Sequence, residues 1–418
     1  MKHAEIIAVG SEMLTPFRVD TNSLFLTEEL NRLGVAVMRK SIVGDDRTLL
    51  REAFLEAMGR ADLVIATGGL GPTEDDLTRE AAADALGRRL VPNEQVLGHI
   101  RERFARMGRV MAPNNERQAL VLEGAQVLPN ALGTAPGLWI EINGRVVVLL
   151  PGPPGELRHI FIEHIRPLLD QRASARRMTH RLILVAGMPE SDLDHRIAAI
   201  YKTYADVETT ILATPEGIEI HLTLWSEDAA GAARRLDELA GRIAEALGEA
   251  VFSVNGETLD DVVARELTLA GATIAVAESC TGGLVSERLT NVPGSSIFFR
   301  GGVVSYSNEM KTAWVGVPSS LIERYGAVSA EVAIAMADGA RRSTGASIGL
   351  SITGIAGPGG GSPEKPVGTV HIALAGDQGT RERLFRFGGE RDRVRRLAAQ
   401  SALEMLRRHL VRSRQGGS

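Results

Sequence analysis

The chain has 418 residues, 44% of them apolar and 24% charged, with a formal net charge of −5. That length suggests two to four domains with ample core for each, and the acidic balance offers no global attraction for nucleic acid or an anionic membrane. A single cysteine excludes an internal disulfide and any multi-cysteine metal site, and no apolar run approaches the roughly 18 residues of a membrane span. The start, MKHAEIIAVG, goes into a strand without a signal-peptide pattern, so a cytoplasmic location is expected.

In chain order, Glu5–Val9 reads as a strand ending at Gly10-Ser11-Glu12, and Asp20-Thr21-Asn22 opens a helical pattern through Leu30. Val35–Val43 is a second strand, Leu49–Met58 a second helix, and Asp62–Thr67 a third strand. That strand runs into Gly68-Gly69-Leu70-Gly71-Pro72-Thr73-Glu74-Asp75-Asp76, and a helix follows from Leu77 to Leu86. Such alternation predicts a parallel sheet covered on both faces, with ligands beyond the carboxyl ends of its strands. Glycines 68, 69 and 71 let backbone amides approach a phosphate or a flat ring closely. The acids after them repel a bare phosphate unless Asp75 or Asp76 holds a divalent cation bridging to it. The same residues also suit a tight turn with acids at a helix N-terminus.

The wording Thr67-Gly-Gly-Leu-Gly-Pro-Thr-x-Asp-Asp-x-Thr78 resembles the molybdopterin-binding fold of the MogA/MoeA type, in the version found in CinA (competence/damage-inducible protein A) proteins. Gly10-Ser-Glu12, Asp20-Thr-Asn22, Asn114–Gln118, Gly133-Thr-Ala-Pro-Gly137 and Pro151-Gly-Pro-Pro-Gly-Glu156 extend the match over residues 1–170. The resemblance implies metal-dependent hydrolysis of ADP-ribose to AMP and ribose 5-phosphate. Its nucleotide loop would comprise Gly10, Glu12, Asp20, Asn22, Thr67, Gly68, Gly69, Gly71 and Thr73, and its metal (Mg, Mn or Co) would sit on Asp75 and Asp76. Pterin binding is the alternative for this domain.

Residues 171–253 begin with the arginine-rich stretch Gln171–Arg181, read as a linker or a solvated face. A strand (Arg181–Val185), a helix after Asp192, strands near Glu208–Ala213 and Ile218–Trp225, and a helix from Ala229 to Leu247 make a small α+β module. In CinA proteins this region resembles a KH fold, but the G-x-x-G loop that clamps RNA is missing here. Arg172, Arg176, Arg177 and Arg181 are therefore read as solvated charges, and the module as a spacer or dimerisation element.

The third domain, 256–412, opens with an amphipathic helix at Thr258–Ala270 and an apolar run from Ala272 to Ala277. Then come Glu278-Ser279-Cys280-Thr281-Gly282-Gly283 and a short helix, Leu284–Leu289. A strand, tight turn and helix place Ser279 at the junction, where it either caps the helix or is a nucleophile beside oxyanion-stabilising amides. Strands are predicted at Gly301–Tyr306, Ser347–Ile352 and Gly368–Ala375, with helices at Ala330–Thr344 and Arg391–Leu410; residues 413–418 form a polar tail expected to be disordered. His371 lies in a strand and His409 near the end of the last helix, so neither suits a catalytic triad. Lys311 and Lys365 remain as bases, and burial lowers a lysine pKa enough to make it one. Cys280 is the rival nucleophile. The loops Pro293-Gly294-Ser295-Ser296 and Thr353-Gly354-Ile-Ala-Gly357-Pro-Gly-Gly-Gly361 have the form of ligand cradles for a phosphate or ribose, and equally of tight α/β connections.

Ala277–Gly283, Gly301–Lys311, Gly326–Ser329, Thr353–Pro358 and Lys365–Thr369 look like the CinA C-terminal domain. That resemblance implies a nicotinamide-nucleotide amidase, which converts nicotinamide mononucleotide (NMN) to nicotinate mononucleotide and ammonia without a metal. It maps a Ser–Lys dyad onto Ser279 and Lys311, an assisting tyrosine onto Tyr306 and an arginine pair onto Arg391 and Arg395, with Thr281, Gly282 and Gly283 receiving the oxyanion. The expectation is an α/β protein: two three-layer α/β/α domains flanking a small α+β, KH-like module. NMN and ADP-ribose are the expected partners, within a homodimer and without nucleic acid or membrane. A non-catalytic adaptor in DNA uptake or repair is the rival from another class.

Overall fold

A computed structural model describes residues 1–172 and 175–415, which form two compact units, residues 1–179 with 225–230 and residues 180–224 with the chain from 231 onward. The first unit contains β1 (His3–Val9), α1 (Thr21–Arg32), β2 (Ala36–Val43), α2 (Arg47–Arg60), β3 (Leu63–Thr67) and α3 (Thr78–Leu86). It continues with β4 (Leu90–Pro92), α4 (Glu94–Arg106), β5 (Leu120–Leu122), β6 (Gln126–Leu128), β7 (Gly137–Ile142), β8 (Arg145–Leu150), α5 (Pro154–Ile160) and α6 (Arg166–Asp170). Six strands make one sheet in the order β2-β1-β3-β8-β7-β6. Alternate side chains supply two cores: Ile7, Val64 and Leu149 pack with Phe54 on one face, and Ile6, Ile65 and Val148 pack with Phe161 on the other. These are the expected three layers.

The sheet is mixed rather than all parallel. Strands β7 and β8 form a hairpin about Asn143-Gly144, both at positive φ, and a two-residue turn permits only antiparallel pairing. That Asn-Gly pair is a turn signal in the sequence that the alternation argument passed over.

The middle module, most of which belongs to the second unit, comprises β9 (Arg177–Val185), α7 (Glu190–Tyr201), β10 (Glu208–Thr214), β11 (Gly217–Ser226), α8 (Ala229–Leu247) and β12 (Val251–Ser253). Its four strands, in the order β10-β11-β9-β12, pack one face on α7 and α8 around Ile183, Ile220, Leu236 and Ile243. The expected linker is shorter than predicted because β9 starts at Arg177; residues 173 and 174 lie outside the described residues. The arginines read as solvated have partners. Arg172 pairs with Glu141 at 2.6 Å, Arg176 lies over the Trp225 ring at 5.3 Å, and Arg181 pairs with Asp237 at 2.6 Å.

The remainder is α9 (Leu259–Leu269), β13 (Ile274–Glu278), α10 (Leu284–Thr290), β14 (Phe299–Val304), α11 (Asn308–Val315), α12 (Ser319–Tyr325) and α13 (Ala330–Thr344). Then follow β15 (Ile348–Gly354), β16 (Thr369–Gly376), β17 (Gly379–Arg386) and α14 (Arg391–Gln415). The sheet order is β14-β13-β15-β16-β17, with β14, β13 and β15 parallel and the last two antiparallel. Helices α9, α10 and α14 cover one face and α11 to α13 the other. The expected tail is shorter than predicted: α14 continues through Gln415, and residues 416–418 lie outside the described residues. Among the described residues no helix is long and apolar enough to cross a membrane.

Helix α13 approaches its neighbours closely because Gly339 lacks a side chain; a Cβ there would lie 1.7 Å from the Val315 carbonyl at the end of α11. Glycine in an open helix interior costs about 1 kcal/mol relative to alanine, whereas forcing atoms into a packed contact costs about 1–3 kcal/mol. Gly339→Ala therefore lowers the denaturation midpoint, while Gly241→Ala in α8, which has open space around it, raises it. Denaturant titration of both variants checks the opposite signs.

Candidate functional site

Strand β13 is buried along its whole length, and its register with both parallel neighbours ends in one row: Glu278 lies beside Val304 of β14 and Ile352 of β15. Ser279 and Ser305 are the first residues past β13 and β14 at the carboxyl end of the sheet, in the same row as Thr353, where β15 runs on to Gly354 beside β16. The Ser279 amide donates to the Ile352 carbonyl at 2.9 Å, which holds the residue at the strand tip. After β14 the chain turns at Ser305-Tyr306, and the Ser307 hydroxyl accepts from the Met310 amide to start α11. This cap places Lys311 in the first turns of a helix that leads back beneath the tip of β13.

Lys311 Nζ lies 3.1 Å from Ser279 Oγ, 2.9 Å from the Ser305 carbonyl and 3.2 Å from the Tyr306 carbonyl. The side chain is only 1% exposed, and burial pushes its amine below the ordinary lysine range. A neutral amine has two hydrogens and one lone pair. When the amine is neutral, the two carbonyls can take its hydrogens and its lone pair can face the Ser279 hydroxyl. The expected dyad is in contact. Tyr306 orients Lys311 through its main-chain oxygen; its phenol points elsewhere, accepting from Arg391 Nη2 at 3.0 Å.

The turn after Ser279 differs from its predicted use. Gly282 and Gly283 adopt φ of 61° and 95°, but their amides are occupied: Gly282 donates to the Ser279 carbonyl at 3.2 Å and Gly283 to the Glu278 carboxylate at 2.9 Å. Neither is open to an oxyanion. The amides of Cys280 and Thr281, the two residues that follow Ser279, are not taken by these hydrogen bonds of the turn. Glu278 is a site residue that sequence reasoning missed; it is wholly buried and also accepts from Val285 and Ser286. Its position, five residues before the capping position Gly283, hid it from the usual capping spacing.

Other predicted residues divide into those beside the tip and those remote from it. Arg391 Nη1 donates to the Gly357 carbonyl at 2.7 Å and Arg395 Nη2 to the Thr281 carbonyl at 2.8 Å, so both arginines and Gly357 join the Ser279 end. Thr353 is buried, its hydroxyl donating to the Ala327 carbonyl at 2.8 Å, and Gly354 leaves room for the adjacent strand. Gly294, Ser295 and Ser296 are not part of this site. They precede β14, whose first residue pairs with Ile274, and so lie at the amino end of the parallel strands, about 16 Å of strand from Ser279. The connection from α10 must return to that end to begin a parallel strand. His371 pairs with Glu382 at 2.6 Å, and Lys365 clamps the Tyr325 and Val328 carbonyls, so of these three candidate bases only Lys311 contacts Ser279. Burial pushes the Cys280 thiol up to about 11, so it packs in the core as a neutral group.

In the first unit a cleft of about 600 Å³ opens beyond the carboxyl ends of β1, β3 and β8. Gly10, Glu12, Asn22, Thr67, Gly68, Gly69, Gly71, Asp75 and Asp76 line it, together with Gln118, Thr134, Gly152 and Glu156 from the other quoted motifs. Two predicted residues stand behind it instead. Asp20 caps α1, accepting from the Ser23 amide at 2.9 Å, and Thr73 donates to Asp76 through both its amide and its hydroxyl. Gly68 is required by its own chain, since a Cβ there would lie 2.3 Å from the Val9 carbonyl. The buried Arg79, overlooked in the sequence, donates to the Leu70 and Gly71 carbonyls at 2.7 and 2.9 Å and sets a positive charge behind the acidic loop.

The two acids assigned to a metal are both held by the loop, and a hydrogen bond from Thr73 keeps the Asp75 carboxyl below its ordinary range. Asp76 accepts from the Gly71 amide at 2.7 Å and the Thr73 amide at 2.8 Å, so it shapes the loop. Asp75 lines the cleft beside it. No group of three or more metal-ligating side chains occurs among the described residues. This donor set does not make an all-protein cage; it fits a hard cation held by one or two carboxylates, water and substrate phosphates.

Comparison with known proteins agrees with this architecture. Residues 5–171 match the model of a probable molybdopterin binding domain, 180–253 that of the damage-inducible protein CinA KH domain, and 256–410 that of the CinA C-terminal domain. A CinA-like protein of Acidobacterium capsulatum is 51% identical over 412 residues, covering 98% of this chain and 100% of the relative. A putative competence-damage inducible protein of Symbiobacterium thermophilum is 45% identical over 422 residues, covering 98% and 99%. The crystal structure of a competence/damage inducible protein from Agrobacterium tumefaciens is 41% identical, covering 35% of this chain and 91% of that one with a TM-score of 0.35. With full-length relatives at this identity and three family models following one another in order, the chain belongs to the CinA family.

Proposed function

We propose that the C-terminal domain is an amidase that hydrolyses the carboxamide of NMN, with Ser279 as nucleophile and Lys311 as base. The observation that carries this reading is the 3.1 Å contact between the Ser279 hydroxyl and a lysine amine whose burial favours the neutral form. Lys311 takes the hydroxyl proton as Oγ attacks the carboxamide carbon. The oxygen of that group becomes an oxyanion facing the Cys280 and Thr281 amides, donors worth about 3–4 kcal/mol each in comparable sites. Lys311 then gives its proton to the departing nitrogen, releasing ammonia and leaving an acyl ester on Ser279. Water, deprotonated by Lys311, attacks the ester, and Ser279 leaves with the proton as nicotinate mononucleotide is released. Arg391 and Arg395 each use only some of their five N–H donors within the protein, and supply positive charge for the 5′-phosphate.

A second activity is proposed for the first unit, hydrolysis of the ADP-ribose pyrophosphate. What favours it over a purely structural loop is that motifs from residues 10 to 156 converge on one cleft. Asp75 would hold a divalent cation there, which supplies charge neutralisation at the phosphate oxygens when bound. The pterin reading uses the same cleft and is separated from it by turnover.

Ammonia release from NMN falls by about a thousandfold or more in Ser279→Ala and in Lys311→Ala, while Cys280→Ala keeps the parent rate within a few fold. Equal rates in parent and Ser279→Ala exclude the dyad, and loss only in Cys280→Ala transfers the role to the thiol.

The pH dependence has a definite sign. The base must be unprotonated, so kcat/KM rises with pH through the depressed pKa of Lys311 and levels off before the ordinary lysine range. Below that pKa the rate falls about tenfold per pH unit. A limb at the ordinary lysine value would mean that Lys311 is solvated during turnover.

For the first unit, AMP release from ADP-ribose requires added Mg, Mn or Co and drops about a hundredfold in Asp75→Asn. Tight pterin binding without AMP release establishes the alternative.

A further inference from the structure

Glu278 has no cation partner among the described residues, yet it is completely buried. One carboxylate oxygen accepts from the Gly283 and Val285 amides at 2.9 and 3.2 Å. The other accepts from the amide and the hydroxyl of Ser286, both at 2.8 Å. These amides are the donors that an α-helix leaves without partners at its start, here the start of α10. Gly283 stands at the usual capping position and has no side chain, so the cap comes from the last residue of β13.

The consequence falls on the residues in between. The segment from 279 to 283 is tied at one end by the Ser279 amide on Ile352 and at the other by Gly283 on Glu278, with Gly282 closing back on the Ser279 carbonyl. The carboxylate thus draws the helix start onto the strand tip, and the amides that these bonds do not take are those of Cys280 and Thr281, beside the nucleophile. A carboxylate suits this place because it accepts four hydrogen bonds and donates none. It also offsets the positive end of α10, which leaves substrate phosphate to the arginines.

We propose that Glu278 is the positioning residue of the oxyanion hole, an inference that rests on the amidase reading of Ser279 and Lys311. Its role is exerted through the turn, without touching substrate. Glu278→Gln is nearly isosteric but turns an NH2 group toward amides that need an acceptor, so the turn must shift.

The experiment uses the full chain and reads NMN deamidation, its pH profile and the rate at which a fluorophosphonate labels Ser279. In Glu278→Gln, kcat falls about a hundredfold or more, the cost of disturbing an oxyanion hole, while KM stays within about threefold. The labelling rate falls in parallel, and the Lys311 limb of the pH profile does not move. Ser286→Ala, which removes a single bond to the carboxylate, lowers kcat about three- to tenfold at unchanged KM, and decides the matter if the glutamine variant does not fold. Parent-like kcat and labelling in a folded Glu278→Gln, or an unchanged Ser286→Ala, overturns the proposal. A displaced pH limb also overturns it, because Glu278 would then act by charge on Lys311. If the parent labels at Ser279 but does not deamidate NMN, the substrate reading fails alone and the labelling rates still judge Glu278. A parent whose Ser279 does not label overturns both.

Discussion

Burial of Lys311, which has no carboxylate partner among the described residues, is the constraint on which the C-terminal domain depends. A charged ammonium in that position would lose its hydration for one hydroxyl and two carbonyls, so desolvation favours the neutral amine. The packing that enforces this is specific. The carbonyls of Ser305 and Tyr306 are presented by a turn between a strand and a capped helix, and the hydroxyl comes from the adjacent strand. The lysine's chemistry is therefore a property of the β13-β14-α11 arrangement rather than of the residue.

The two carboxyl-end sites differ in how charge is arranged around them. In the first unit, acids surround a cleft and a buried arginine stands behind the glycine loop, a polarity that suits a cation bridging to phosphate. In the C-terminal domain the acid is inside, capping a helix, and the cations Arg391 and Arg395 face the site. Both sites occupy the position that open α/β sheets provide, beyond the ends of parallel strands. What differs is which sign of charge the chain buries behind the loop.

Much of this was legible in the chain. Two α/β sheets could be read from alternating apolar runs, and Ser279 from its place between a strand and a helix. Setting the histidines aside left Lys311 and Lys365 as candidate bases, and the resemblance to the CinA C-terminal domain pointed to Lys311. The glycine loop was legible too, though Gly68 is needed for its approach to the Val9 carbonyl rather than for ligand access alone. Glu278 and Arg79 were not legible, because a buried charge has no periodicity and their partners, the Ser286 hydroxyl apart, are main-chain atoms with no sequence signature. Gly294–Ser296 was misleading for a related reason: a Gly-Ser loop has the same composition at either end of a strand, and only the direction of the crossover decides which end it occupies.

By itself the sequence determined the elements, their periodicities and the chemical types available, because those depend on local backbone preference and on apolar spacing. The tertiary structure alone decided that Ser279 and Lys311 touch, which amides of the turn are taken by its own hydrogen bonds, and how the two neighbouring aspartates are held by their loop. Those outcomes depend on hydrogen bonds between residues distant in the chain, on strand register and on desolvation. None of these is a property of any one segment, so they exist only once the sheet has brought its strand ends together.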